Sequence, residues 1–172
     1  GRTRLDNDKL YMNFSGSGVK FKVLTEKLVV KMFSPKYNDA NSYPYISIII
    51  DGARYDYGLF EENQEIKLTL SNIPHTIEIL KRTESSVSFA AITDIVADRF
   101  LEVEKEDKLK IEFFGDSLTC GYGVLCNNPN LPFTTHTESF LDSYAYLTSK
   151  MLNADYSVIS VWGINNNGDY LL

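Results

Sequence analysis

The sequence contains few cysteines and histidines. Among 172 residues the cysteines are Cys120 and Cys126, and the histidines are His75 and His136. These residues match no zinc-site spacing, so we expect no structural metal. A disulfide between Cys120 and Cys126 is sterically possible, but two free thiols are the favoured expectation.

Long apolar runs and an excess of positive charge are also missing. No run approaches the ~20 apolar residues that span a bilayer, so no membrane helix is predicted. The net charge is −6 and the pI about 4.9, which argues against nucleic acid and anionic lipid as partners. The chain starts at Gly1 without a signal peptide, and its destination cannot be inferred from a missing leader.

Alternating apolar residues from Arg4 to Leu101 predict an all-β region, because a period of two places one face of each strand on a core. The alternating positions are Val19, Phe21 and Val23; Ile46, Ile48 and Ile50; Ile66, Leu68 and Leu70; Ile77 and Ile79; Val87 and Phe89. Turn residues separate these runs, and Asp51-Gly52 is a strong hairpin signal. We therefore predict a β-sandwich, specifically a jelly roll, over residues 1–105.

A different pattern follows the charged stretch Glu102–Lys110, where we place the domain boundary. Ile111–Phe114 reads as a short apolar strand, residues 142–152 as a helix, and Tyr156–Val161 as a second strand. Asp142 is a possible helix cap, and one helix face carries Tyr144, Leu147 and Met151. Strand, helix and strand make one βαβ unit, so residues 106–172 are predicted to begin an α/β domain.

The segment Phe114–Gly123 holds the residues best suited to chemistry. It reads Phe-Gly-Asp-Ser-Leu-Thr-Cys-Gly-Tyr-Gly and follows the first strand of the βαβ unit, where ligands of α/β sheets bind. Its glycines allow close backbone approach, and the hydroxyl of Ser117 would lie on a tight turn. Gly-Asp-Ser alone is a weak signal, since Asp116 or Ser117 could simply cap a helix.

Gly115-Asp116-Ser117-Leu118-Thr119 resembles the first block of the GDSL, or SGNH, hydrolases. The wider run 111–123, Ser143-Tyr144-Ala145 and residues 152–156 are similar to carbohydrate esterase family 2. The opening Gly1-Arg2-Thr3 and the hairpin Ile50-Asp51-Gly52 are similar to the first domain of that family.

The resemblance implies a jelly roll followed by the start of a flavodoxin-like SGNH domain. It also implies a serine esterase that deacetylates plant polysaccharides such as xylan or glucomannan. Its partners would be acetylated polysaccharide or small esters, and it would need no cofactor. The family resemblance further implies a protein that is secreted or held at the cell surface. Ser117 would be the nucleophile, and the backbone N–H groups of Ser117 and Gly163 would form the oxyanion hole. The match at Gly163 is imperfect, because Val161-Trp162 separates it from Ser160 where the family has Ser-Gly, and a plain turn glycine is an equal alternative.

The family's Asp-x-x-His motif and its oxyanion asparagine are missing, although a serine nucleophile needs a base. His136 is expected to be a surface loop residue, His75 a residue of the sandwich, and Asn165, Asn166 and Asn167 turn residues. One βαβ unit is also too small for a doubly wound domain. We therefore expect an incomplete domain with little esterase activity. Three explanations stay open. The remainder of the α/β domain could lie in polypeptide outside this sequence, or the sequence could be truncated. Alternatively, the partial α/β unit could pack on the sandwich, or on a second copy of the chain in a homo-oligomer.

Two other functions stay open. The sandwich could be a carbohydrate-binding module in which Tyr43, Tyr45, Tyr55 and Tyr57 stack on sugar rings. The chain could also be a truncated remnant without activity.

Overall fold

The computed structural model describes residues 2–163, and in this part the chain forms two antiparallel sheets followed by a βαβ unit. The strands of the two antiparallel sheets are β1 (Thr3–Asp6), β2 (Lys9–Met12), β3 (Gly18–Leu24), β4 (Lys27–Phe33), β5 (Tyr45–Ile50), β6 (Ala53–Gly58), β7 (Asn63–Thr69), β8 (Pro74–Lys81), β9 (Ala90–Val96) and β10 (Arg99–Leu101).

The two sheets have five strands each and enclose one apolar core. Their strand orders are β1-β2-β9-β4-β7 and β10-β3-β8-β5-β6. The core is filled from the inward positions of both sheets, including the fully buried Met12, Leu28, Ile48 and Ile79. The alternation in the sequence thus predicted the inner faces correctly for β5 and β8.

The hairpin predicted at Asp51-Gly52 is confirmed. Strands β5 and β6 pair antiparallel, and Ile50 faces Ala53 across the turn. Asp51 and Gly52 both have positive φ, at 48° and 91°, as the two-residue turn of a tight hairpin requires. The strand pattern at Val87 and Phe89 was misleading, because Val87 lies in a turn and β9 begins only at Ala90.

The residues after Leu101 form a mostly exposed connector up to Leu109, outside regular secondary structure. The βαβ unit then consists of β11 (Lys110–Gly115), a short helix α1 (Ser117–Cys120), helix α2 (Tyr144–Met151) and β12 (Asp155–Ser160). Strands β11 and β12 pair in parallel from Lys110 opposite Asp155 to Gly115 opposite Ser160. The predicted parallel unit is confirmed.

The predicted start and apolar face of helix α2 were wrong. The helix begins at Tyr144, and Asp142 lies in a preceding 3₁₀ turn where it accepts a hydrogen bond of 2.7 Å from Arg54 Nη1. Tyr144, Leu147 and Met151 share an exposed face, with Met151 87% exposed. The buried side chains of the helix are Ala145, Tyr146 and Ser149.

The buried face of α2 packs against the sandwich. Phe140, Leu141, Ala145, Tyr146 and Val158 form one buried cluster with Ile49 of β5 and Leu80 of β8. The α/β unit therefore shares an apolar interface with the sheet β10-β3-β8-β5-β6. Packing of the partial unit on the sandwich was one of the three expectations from the sequence. In the part of the chain that the structure describes, none of the helices has the length and apolar character of a membrane span.

Candidate active site

Ser117 begins a one-turn helix directly after strand β11. Asp116 is extended, with φ −111° and ψ −152°, and its Oδ1 accepts a hydrogen bond of 3.0 Å from the N–H of Leu118. Asp116 is therefore the helix cap, which leaves Ser117 as the first helical residue. Such a residue has no partner for its backbone N–H inside the helix. Ser117 as a residue is partly exposed.

Two glycines allow the chain to turn tightly around Ser117. A Cβ at Gly115 would lie 2.0 Å from Thr119 Oγ1, and a Cβ at Gly121 would lie 2.0 Å from the carbonyl oxygen of Ser139. Gly121 also has a positive φ of 77°, which residues with a Cβ adopt at a cost. The turn needs glycine at both positions, because neither has room for a Cβ.

Residues that follow β11 and β12 meet at one edge of the parallel pair, because Gly115 and Ser160 are register partners at the ends of the strands. Ser117 lies two positions beyond β11, and Trp162 and Gly163 follow β12. Gly163 lies in a turn with φ +80°. Its use as an oxyanion donor stays a prediction. Asn165, Asn166 and Asn167 lie outside the described residues.

The two histidines have partners other than Ser117. The ring of His136 lies edge-on to Tyr45, with a centroid distance of 5.6 Å, and its side chain is exposed. His75 is buried in the sandwich, where Nδ1 lies 2.6 Å from Asp51 Oδ2 and Nε2 lies 3.0 Å from Ser71 Oγ. The expectations of a surface histidine and a sandwich histidine are both confirmed.

The segment Thr135–Asp142 connects the turn at Gly121 to the sandwich. On one side, the N–H of Ser139 donates to the carbonyl of Gly121 at 3.0 Å. On the other side, the N–H of Phe140 donates to the carbonyl of Arg82 at 3.0 Å. The position of the turn after the candidate nucleophile therefore depends on residues of both parts of the chain.

Buried ionisable groups lie close to this turn, and sequence reasoning missed them. Glu138 is fully buried; its Oε1 accepts a hydrogen bond of 3.0 Å from the N–H of Glu84, while Oε2 has no partner among residues 2–163. The Nζ of buried Lys81 donates to the carbonyls of Thr83 and Glu84 at 2.6 and 2.8 Å. Burial raises the pKa of Glu138 and lowers the pKa of Lys81, because each loses solvation of its charge.

The two cysteines are free thiols in the structure, as the sequence favoured. Cys120 is buried and its Sγ lies 3.2 Å from Ser160 Oγ. Burial raises the pKa of the Cys120 thiol to about 12, so it is a thiol rather than a reactive thiolate at neutral pH. Within residues 2–163, no group of three His, Cys, Asp or Glu side chains is placed to hold a metal ion.

A stack of three aromatic rings lies next to the Ser117 turn. The ring of Tyr122 is within 7° of parallel to that of Phe133, with centroids 3.9 Å apart, and within 11° of parallel to that of Trp162, with centroids 5.9 Å apart. The N–H of Tyr122 also donates to the carbonyl of Ser117 at 2.9 Å. No pattern along the chain indicates this stack, since its members come from three separate segments.

The tyrosines suggested as sugar platforms on the sandwich mostly pack against protein. Tyr43 and Tyr45 both meet Phe60 edge-on, and the guanidinium of Arg82 lies over the Tyr45 ring at 4.4 Å. Tyr57 packs against the core between the sheets. Tyr55 is the one of the four that is exposed.

A family model described as carbohydrate esterase 2 N-terminal matches residues 1–103. The chain belongs to carbohydrate esterase family 2. The match covers the sandwich and only the first two residues of the connector that follows it, and it confirms the resemblance seen in the sequence. The predicted fold class, a jelly roll followed by an α/β unit, is also confirmed.

Known relatives agree with this assignment. The chain is 36% identical over 99 residues to the cellulase/esterase CelE of Acetivibrio thermocellus, which covers 56% of this chain and 12% of CelE. A family two carbohydrate esterase from Clostridium thermocellum, solved with cellohexaose, superposes with a TM-score of 0.87 at 27% identity over 96% of this chain and 51% of the esterase. The acetyl xylan esterase Est2A of Butyrivibrio proteoclasticus shares the fold, with a TM-score of 0.83 at 24% identity over 95% of this chain and 45% of Est2A.

The family 2 chain thus spans about half the length of these solved relatives and a small part of CelE.

Proposed function

We propose that this family 2 chain carries the nucleophile of a serine esterase of the SGNH type that removes acetyl groups from a plant polysaccharide such as xylan or glucomannan. The observation that carries the proposal is the partly exposed Ser117 at the carboxyl end of β11, on a turn that only glycines at 115 and 121 permit. Family membership supports the reaction class, and the cellohexaose bound by the Clostridium thermocellum relative supports a polysaccharide partner.

In the proposed reaction, Ser117 Oγ attacks the acetyl carbonyl carbon while a histidine accepts the hydroxyl proton. The oxyanion of the tetrahedral intermediate is held by the N–H groups of Ser117 and Gly163. Collapse breaks the bond between the acetyl carbon and the sugar oxygen, and the leaving sugar oxygen takes the proton from the histidine to become a hydroxyl. Water then hydrolyses the acetyl-serine, with the same histidine as base, and acetate leaves.

We propose that this histidine is supplied from outside these 172 residues. His75 is hydrogen-bonded within the sandwich, and His136 packs on Tyr45. A base must lie within hydrogen-bond reach of the proton it removes, and neither histidine is paired with Ser117 in the described part of the chain.

We also propose that the chain divides into a jelly-roll domain, residues 1–105, and an α/β domain, residues 106–172. The protein would act outside the cell, because its polysaccharide substrate is found there. Limited proteolysis should cut first in the exposed connector Glu102–Leu109, whose residues lie outside regular secondary structure. Earlier cleavage inside the sandwich would contradict the boundary.

The test of the function is acetate release from acetylated xylan and acetylated glucomannan. The protein is expressed from its own gene, with any polypeptide that precedes or follows these residues. Ser117→Ala should lower the rate by at least about 10³-fold, while Ser71→Ala, in the sandwich near His75, should leave the rate unchanged. Equal rates for the wild type and Ser117→Ala would overturn the proposal.

A further inference from the structure

We propose that Arg54, on strand β6 of the sandwich, is a positioning residue for the proposed nucleophile Ser117. The inference rests on the proposed function for its reaction, and it goes further by giving a side chain of the sandwich a role in that reaction. Arg54 acts on Ser117 through Ser139 and Gly121 rather than by direct contact.

The guanidinium of Arg54 is held in one orientation by its own sheet. Its Nε donates to Asp56 Oδ1 at 2.8 Å, and its Nη2 donates to Asp56 Oδ2 at 2.9 Å. Two such hydrogen bonds side by side fix the relative orientation of a guanidinium and a carboxylate. Asp56 is fixed in turn, because Ser47 Oγ donates to Oδ1 at 2.6 Å and Arg82 Nη1 donates to Oδ2 at 3.2 Å. The sandwich therefore sets the direction of the remaining N–H groups of Arg54.

These remaining N–H groups hold the segment that precedes helix α2. Nη1 donates to Asp142 Oδ2 at 2.7 Å, and Nη2 donates to Ser139 Oγ at 2.9 Å. Ser139 Oγ itself donates to Asp142 Oδ2, so the three side chains form a closed set of hydrogen bonds. Ser139 is fully buried, and solvent therefore does not compete with Arg54 for its hydroxyl.

Ser139 fixes the end of the short helix that begins at Ser117. Its N–H donates to the carbonyl of Gly121 at 3.0 Å, and its own carbonyl oxygen fills the space that a side chain at Gly121 would need. Gly121 caps helix α1, with its N–H donating to the carbonyl of Leu118 at 3.3 Å. A displacement of Ser139 would therefore move the cap of α1.

Helix α1 is too short to hold Ser117 in place by itself. It has four residues, and a single helical turn is unstable without support from outside. Attack on a carbonyl carbon depends on the position of the hydroxyl, and a displacement of about 1 Å can lower the rate about 10²-fold. Arg54 supplies part of the support that α1 needs, through the hydroxyl of Ser139.

The test uses the protein expressed from its own gene and has two readouts, acetate release from acetylated xylan and amide hydrogen exchange. Arg54→Met removes the N–H groups and keeps an unbranched side chain. It should lower kcat roughly 10- to 100-fold at an unchanged KM, because it displaces the nucleophile and leaves substrate binding intact. The amides of residues 119–122 should exchange at least about tenfold faster, since the local structure opens more easily.

Two further variants separate positioning from general stability. Arg54→Lys keeps the charge but lacks the planar fork that reaches Ser139 and Asp142 together, so its kcat should lie between those of the wild type and Arg54→Met. Arg2→Met is the matched control. Arg2 pairs with Glu112 of β11 and so also links the N-terminal part of the chain to the α/β unit. That pair is exposed and should contribute little, so both readouts should stay at wild-type values.

Urea unfolding shows whether Arg54→Met is folded. If it is not, Ser139→Ala decides, because it removes the hydroxyl that Arg54 binds and keeps the N–H that donates to Gly121; it should show the same changes in kcat and exchange. Wild-type kcat and exchange in the deciding variant, or equal losses in Arg2→Met, overturn the inference. Faster exchange in Arg54→Met, with acetate release undiminished in Ser117→Ala, would refute the proposed function alone. Wild-type kcat in Arg54→Met, with Ser117→Ala inactive, would refute the positioning role alone.

Discussion

The backbone N–H of Ser139 donates a hydrogen bond of 3.0 Å to the carbonyl of Gly121, four residues after Ser117. Ser139 is followed by Phe140, whose own N–H donates to the carbonyl of Arg82, the residue directly after β8. The turn that carries the candidate nucleophile is thus connected to the sandwich through two adjacent peptide groups. The sandwich is therefore a structural support of the candidate site, whatever else it binds.

Gly121→Ala should disrupt this connection. The new Cβ would lie 2.0 Å from the Ser139 carbonyl oxygen at a φ of +77°, so the free energy of unfolding should fall by about 3 kcal/mol or more. Gly123→Ala is the matched control, because its φ is also positive but no atom lies within 4 Å of the added Cβ. It should cost only about 1 kcal/mol. Denaturant unfolding measures both, and equal losses would contradict the role given to the Ser139 contact.

Phe140→Ala should destabilise the interface between the sandwich and the α/β unit. Phe140 is fully buried in the cluster that joins Ile49 and Leu80 to helix α2, so its truncation should cost about 3–5 kcal/mol. Leu147→Ala, on the exposed face of the same helix, should change stability by less than about 0.5 kcal/mol. A larger loss for Leu147→Ala than for Phe140→Ala in chemical denaturation would contradict the packing described for α2.

Glu138 should give the protein a stability that falls as the pH rises from 5 to 7. Burial raises the pKa of its carboxyl from 4.5 to about 8, so between these values the folded state holds a proton that the unfolded state has released. The free energy of unfolding then falls with a slope of up to about 1.4 kcal/mol per pH unit. Lys81 adds no slope in this range, because it is protonated in both states below its lowered pKa of about 8.

Glu138→Gln replaces the titrating carboxyl with an amide, so the proton taken up by Glu138 no longer contributes to the pH dependence of stability. The variant should match the wild type near pH 5 and become the more stable of the two by pH 7, as followed by urea unfolding at each pH. Glu61→Gln changes an exposed position, and its curve of unfolding free energy against pH should run parallel to that of the wild type. A Glu138→Gln curve that also runs parallel to the wild type would mean that Glu138 is ionised in the folded state throughout.

The 172-residue chain alone should hydrolyse p-nitrophenyl acetate no faster than its Ser117→Ala variant. Neither histidine of the described part is paired with Ser117, and an unassisted serine hydroxyl is a poor nucleophile. Initial rates at neutral pH measure this directly. Turnover well above the Ser117→Ala control would show that a base is present within these residues.

Features set by neighbours in sequence were predictable. The hairpin at Asp51-Gly52 follows from the need for two positive φ angles, and the strand before Ser117 follows from a short apolar run ending in glycine. The Ser117 turn could be found for the same reason, since the Gly-Asp-Ser segment is contiguous and follows a strand.

Features set by tertiary packing were not predictable. The spacing of Tyr144, Leu147 and Met151 defined a helix face correctly, but the sandwich takes the opposite face, where Tyr146 and the small side chains of Ala145 and Ser149 are buried. A period of 3.6 cannot show which face meets a neighbour when both carry apolar residues. The buried Glu138 and the stack at Tyr122 were missed because their partners lie in other segments.

The most direct test of the central claim is the site of covalent labelling by a fluorophosphonate, which phosphonylates an activated serine with release of fluoride. The protein expressed from its own gene is labelled and digested, and the modified peptide is identified by mass spectrometry. We expect one adduct at Ser117 and none in the Ser117→Ala variant. An adduct at a different serine that persists in Ser117→Ala, together with undiminished acetate release, would contradict the account.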